Sequence, residues 1–373
     1  MLLILPLAMP RGIPAIPDPL KAAIAALFMF AGYAAFANLV WGVLLIDHEI
    51  TKVGALGFAA FYLFNALVFA SCVVLYVVNK NRFILVTIWS TVAALLLQFA
   101  LFAARGGAGG FREKLFFNNP NQLGYYALLC ATLVAFGFQR ARVPVWLAGS
   151  SLAITALLAA LSLSKAAIIG TVVVAFVAAI RKPVLLAVTA LVMLLATQAR
   201  DPAALVDKLV LRMTDLGEQG DDTLEGRGYS RIEMHPEYLV LGAGEVGHDR
   251  HGDFGGELHS SWATTLFSYG VVGLALLLVF LWRALRLLRP ADWLFLVPIF
   301  WYGFTHQGMR FRLFWAFIAF VCVATYHAHL IAARRISRLR SRPVHARSTQ
   351  RHRRALWPLS TSLPHSSDRW ARH

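Results

Sequence analysis

Apolar residues dominate long runs of this chain, and short charged loops separate one run from the next. Runs over 20–46, 55–78, 83–104, 122–138, 145–161, 166–180, 184–198, 261–282, 293–305 and 313–333 predict about ten membrane-spanning helices. Several are short for a hydrocarbon core of about 30 Å. The expected fold class is all-α: a polytopic transmembrane helical bundle with one long external loop between spans seven and eight. Four segments follow: an N-terminal transmembrane bundle over 1–198, the loop over 199–260, C-terminal transmembrane helices over 261–333, and a disordered basic tail over 334–373.

Composition supports this pattern. Of 373 residues, 58% are hydrophobic and only 14% charged, against about 25% charged in a soluble domain. Cys72, Cys130 and Cys322 all lie in apolar runs, so no disulfide framework is expected. The apolar N-terminus lacks a basic leader and is interrupted by Pro6 and Pro10, so it is not read as a cleaved signal peptide. The net charge of +16 invites a nucleic-acid reading, but its distribution argues against one. The tail 334–373 alone holds eleven arginines and one acid, a pattern suited to anionic membrane lipid. No stacking platform accompanies it, and no nucleic-acid partner is expected.

Orientation follows from lysine and arginine. With both termini in the cytoplasm, the inner segments hold 22 of the 35 basic residues, packed into short loops and the tail. Asn118–Asn121, Ser162–Lys165, the long loop and His306–Arg312 then share the outer face. A site on that face accounts for most of the unusual polar sequence.

The loop 199–260 carries 13 of the 19 acidic residues against six basic ones. Neither its carboxylates nor His235, His248, His251 and His259 show the spacing of a metal site, and neither a metal nor a cofactor is expected. The apolar spacing within 201–213 suits a helix lying along the membrane surface. Asn119 and Pro120 form a sound helix start, and Arg112 and Lys114 upstream are candidate anion contacts. Ser164 can cap the helix that Lys165 opens. Gly242-Ala-Gly244-Glu-Val-Gly247 matches a dinucleotide fingerprint, but no βαβ unit surrounds it, so the glycines are read as a tight turn or a close approach to a ligand. Arg231 and His259 are expected at the mouth of the helix that Ser260 or Ser261 caps, where anion binding and proton transfer are both favoured. Arg227 is a weaker candidate, and His306, Arg310 and Arg312 form a second outer cluster.

Asn119-Pro120-Asn121, Ser162–Lys165, Arg231, Gly242-x-Gly244 and His259, in this order, resemble the markers of the O-antigen ligase and polymerase superfamily of bacterial membrane glycosyltransferases. Lys165 stands where the family usually has arginine, and Ser260 where asparagine is common. The resemblance runs over roughly 117–278. It implies a glycan donor carried on polyprenyl (undecaprenyl) diphosphate at the periplasmic face of the bacterial inner membrane. The acceptor is another glycan or lipid A core, as in lipopolysaccharide or surface polysaccharide assembly. On that reading His259 is the general base and Arg231 stabilises the leaving diphosphate, with Arg227, Lys165, Arg310 and Arg312 as further diphosphate contacts. Asn119, Asn121, Gly242, Gly244, Ser260 and His306 position substrate. The arginines then do the work of a metal, and a single displacement inverts the anomeric carbon. A polymerase and a protein oligosaccharyltransferase fit the same residues. A lipid-linked sugar transporter and a non-enzymatic scaffold are the alternatives from other classes.

Overall fold

The computed structural model describes residues 14–46, 49–104, 112–198, 207–211, 214, 223–247, 251 and 257–340. Among them all regular elements are helical. The main ones are α1 (Asp18–Leu39), α2 (Glu49–Asn79), α3 (Asn81–Ala104), α4 (Pro120–Gly137), α5 (Val145–Ser162), α6 (Lys165–Arg181), α7 (Pro183–Gln198), α8 (Ser230–Met234), α9 (Ser261–Leu285), α10 (Pro290–Trp293), α11 (Val297–Thr305) and α12 (Arg312–Arg340). The chain divides into two units, Met1–His327 and Ala328–His373. The second contains the C-terminal part of α12.

Six described stretches are long and apolar enough to cross a membrane: Asp18–Leu45, Thr51–Asn79, Asn81–Ala104, Val145–Ser162, Ser261–Leu285 and Arg312–Ser337. Leucine, valine and phenylalanine side chains stand exposed along them, among them Leu97, Val271 and Leu278. In water such a surface drives association; against lipid tails it is the expected one, and the protein is a membrane protein. The other expected spans also fall on helices, but shorter or less apolar ones. The stretch 293–305 departs furthest from expectation. It is broken between α10 and α11, where Pro298 sits in the first turn of the new helix. The nine residues of α11 reach only about 14 Å. Of 201–213, residues 207–211 are described and helical, and the rest lies outside the described residues.

Helix α1 shows why these helices pack. Leu20, Ala23, Leu27, Ala31, Ala34 and Asn38 recur every three or four residues, and all are buried. Alanines on such a stripe let neighbouring backbones come close, which matters where lipid offers no hydrophobic drive between helices. Trp315 of α12, 1% exposed, fills the space between Phe30 of α1, Tyr62 of α2 and Phe280 of α9.

Two helix starts follow their sequences. The Asn119 side chain accepts from the Gln122 N–H at 2.9 Å, with Pro120 next, and Ser260 accepts from the Ala263 N–H at 3.2 Å. Ser164 occupies the N-cap position of α6 but makes no side-chain cap bond, contrary to expectation. The preceding Leu163 is left-handed (φ 49°), and the Ser164 N–H instead binds the Ser162 hydroxyl at 3.2 Å.

Candidate functional site

The glycine-rich turn 242–247 packs against α9. Helix α9 breaks at Gly270, whose φ of 64° and ψ of −174° are not helical. A helix end leaves its last carbonyls without donors. Here the N–H groups of Ala243 and Gly244 reach the Phe267 and Ser268 carbonyls at 2.9 and 2.8 Å. The two backbones cross so closely that glycine is needed on both sides. A Cβ on Gly242 would stand 2.3 Å from the Ser268 oxygen, and one on Gly270 2.1 Å from the Val240 oxygen. Tyr33 and Trp41 of the first span hold the turn by donating to the Leu241 and Gly242 carbonyls, each at 2.8 Å.

That crossing places Glu245 inside the bundle. Its carboxylate is almost wholly buried, and it accepts from the Tyr62 hydroxyl at 2.6 Å and the Tyr269 hydroxyl at 2.5 Å. Its backbone N–H donates to Asn38 at 2.7 Å. The other carboxylate oxygen receives Arg310 through Nε at 2.9 Å and Nη2 at 2.5 Å. Burying a carboxylate is costly unless it is paired and hydrogen-bonded, and this one has four donors to its oxygens. Arg310 continues outward, donating from Nη1 to Glu257 at 2.9 Å. Burial by itself lowers the Arg310 pKa, but the Glu245 and Glu257 carboxylates outweigh it and hold the group above its usual value.

Glu257 opens onto a cavity of about 280 Å³. Its polar wall includes His259, His306, Asn119, Asn121, Gln122, Gln307 and Arg310, and Tyr125, Tyr302 and Phe311 supply an aromatic side. Tyr125 and Tyr302 stack with centroids 4.3 Å apart, and His306 lies 4.6 Å from Tyr302. The start of α9 is tied to the turn after α11. Ser261 donates its N–H to the His306 carbonyl at 3.2 Å and accepts from the Met309 N–H at 3.0 Å, while Gln307 donates to the Leu258 carbonyl. Arg112 braces the opposite wall by donating to Asn121 Oδ1 at 2.7 Å and the Ser162 carbonyl at 3.0 Å. The Tyr302 hydroxyl donates to the Asn121 carbonyl at 2.8 Å. Arg112, bonded to Asn121, and Arg227, bonded to the Thr305 carbonyl, place positive charge beside the cavity.

Five residues singled out from the sequence thus line one cavity: Asn119, Asn121, His259, His306 and Arg310. Ser260 lies just behind as the helix cap. Arg231 is elsewhere. It is 1% exposed on the five-residue helix α8, its guanidinium 5.6 Å from the centroid of the Phe267 ring in the early turns of α9, and it is not among the lining residues. Arg227 donates to the Thr305 carbonyl and supports the cavity from outside its lining. Arg312 is exposed near the Phe64 ring, and Lys165 is half-buried; neither is among the lining residues. Gly242 and Gly244 are buried in the turn, Gly242 against the backbone of α9 and Gly244 against Trp41 and the Ala37 carbonyl. The sequence reading missed Glu257, Tyr302 and Gln307. The one available signal was that Glu257 and His259 flank an apolar residue, Leu258, which is buried between them.

Imidazole and carboxylate groups around a polar, aromatic-sided cavity can move protons and bind hydroxyl-rich or anionic ligands. Among the described residues no three His, Cys, Asp or Glu side chains are grouped to hold a metal ion. Comparison with protein-family models, curated proteins and solved structures finds no match to this chain.

Proposed function

We propose that this protein is a membrane glycosyltransferase that moves a glycan from a polyprenyl diphosphate to an acceptor hydroxyl. Its ten apolar stretches would cross the bacterial inner membrane, with both ends in the cytoplasm and the cavity facing the periplasm. The carrying observation is the convergence of His259, His306, Glu257 and Arg310, from the segment before α9 and the turn after α11, on the start of α4 in one cavity. In the proposed reaction the acceptor oxygen attacks the anomeric carbon, the bond to the diphosphate breaks, and the acceptor proton passes to an imidazole nitrogen of His259. A positioned base typically contributes about 10²–10⁴-fold. The leaving diphosphate gathers negative charge, which Arg112 and Arg227 can stabilise from beside the cavity. Arg310 is already matched by two carboxylates and fits better as the support of Glu257. Buried Arg231 then shapes the loop.

One observation favours a second reading. A helix broken at Gly270 beside the buried Glu245 is a feature that membrane transporters use at substrate and ion sites. A lipid-linked glycan profile separates the two. Cells lacking the gene are rescued with wild type or His259→Ala. Accumulation of carrier-linked long glycans that only wild type clears supports a ligase. Accumulation of single repeat units supports a polymerase. Glycan stranded at the inner leaflet supports transport, and an unchanged profile removes the transfer reading.

A further inference from the structure

Four helices that begin or end at the cavity have their other ends close together. Helices α4 and α6 run away from it toward Arg140 and Arg181, α9 runs toward Arg289, and α11 returns from beside Asp292. The 18 residues of α4 put this second end about 27 Å from the cavity, close to the thickness of a hydrocarbon core. We propose that this second end is a binding site for a phosphoryl anion, built by Arg140, Arg181 and Arg289, with the headgroup phosphate of an anionic phospholipid as its source.

Two of these side chains are held there, and Arg289 is the exposed residue that precedes the short helix carrying Asp292. The Arg140 guanidinium lies 4.2 Å from the Phe136 ring centroid and that of Arg181 4.6 Å from the Phe295 ring centroid. These two rings meet edge to face at 6.4 Å, so the arginines sit on adjoining aromatic surfaces. Arg140 also donates to the Phe136 carbonyl, and Arg181 to Asp292 at 2.7 Å and the Ala291 carbonyl at 2.6 Å. Asp292 is buried and engaged with Arg181. Asp18, at the same end of the bundle, is exposed beside Lys21. Among the described residues Arg140 forms no ion pair. Three guanidiniums stand against one carboxylate, with Arg140 half-buried and Arg181 and Arg289 exposed at the rim. Burial lowers the Arg140 pKa, Asp292 opposes this, and Arg289 and Arg181 add to it. An anion relieves that repulsion, and guanidinium forks match phosphate oxygens. Anionic phosphates at the inner leaflet lie just outside the hydrocarbon core.

The test uses the full chain in nanodiscs of phosphatidylcholine, with or without phosphatidylglycerol. Bound phosphatidylglycerol is measured by native mass spectrometry, alongside the thermal midpoint. Arg140→Gln/Arg289→Gln is expected to hold the lipid about tenfold more weakly than wild type. Arg140→Lys/Arg289→Lys, which keeps the charge, falls between and guards against a folding defect. The tail arginines act equally in all three proteins, so the difference between them is what counts. A further arm adds inorganic phosphate to phosphatidylcholine discs at constant ionic strength. If phosphate stabilises wild type over the Gln pair and phosphatidylglycerol does not, the anion site stands and the lipid source is refuted. Equal lipid retention and equal midpoints across the three proteins in both arms overturn the proposal.

Discussion

Replacing Gly270 by alanine tests the crossing on which the interior of the bundle depends. The residue has φ 64° and ψ −174°, a region that glycine alone enters readily, so alanine there costs about 1–3 kcal/mol in backbone strain. The added Cβ would stand 2.1 Å from the Val240 oxygen, 2.4 Å from its carbonyl carbon and 2.7 Å from the Leu241 nitrogen. All three are backbone atoms, so no side chain can swing aside. The turn must lift from α9, which stretches the Ala243 and Gly244 hydrogen bonds, each worth about 0.5–1.5 kcal/mol net. Together these effects destabilise by about 2–6 kcal/mol. At roughly 2 °C per kcal/mol for a chain of this length, the melting midpoint falls by about 4–12 °C. The assay is thermal unfolding in detergent, followed by a thiol-reactive dye, because Cys72, Cys130 and Cys322 are all buried until the chain opens. Gly32→Ala is the control. It lies within α1 with nothing within 4 Å of the new methyl, and should be neutral or stabilising by about 0.5–1 kcal/mol. If the two variants melt together, the crossing does not carry the load assigned to it.

Glu245→Ala leaves Arg310 and two tyrosine hydroxyls without their shared acceptor and should destabilise by about 3–5 kcal/mol in the same assay; a loss below 1 kcal/mol would mean that water or a rearranged Glu257 replaces it. His259→Ala should melt within about 0.5 kcal/mol of wild type, since its ring is exposed and the Ser260 cap is untouched. Glycan transfer should nevertheless drop about 10²–10⁴-fold, and retained transfer would remove His259 from the chemistry. Cysteines placed at the exposed positions Asn118 and Gln139, at opposite ends of α4, should be labelled from opposite sides of the membrane. Labelling of both from one side would contradict α4 as a span.

The sequence by itself determined that this is a helical membrane protein, because stretches of apolar residues long enough to cross lipid leave few other solutions. It also marked the caps at Asn119 and Ser260, whose bonds are local and depend on three neighbouring residues. The position of His259 beside the start of α9 followed from the same short-range logic. Tertiary structure decided what depends on contacts distant in sequence. Glu245 reads as one acid among many in a polar segment, yet it meets Tyr62, 183 residues away, and Arg310, 65 residues away. Arg231 reads as a candidate at the mouth of a helix, but that its side chain is buried beside Phe267 is a tertiary fact. The glycines of 242–247 read as a turn, but their reason lies in a break at Gly270 that no local pattern announces. A continuous apolar run can be a straight helix or a broken one. What separates them is whether another strand of backbone, here residues 243 and 244, arrives to satisfy the carbonyls that the break exposes.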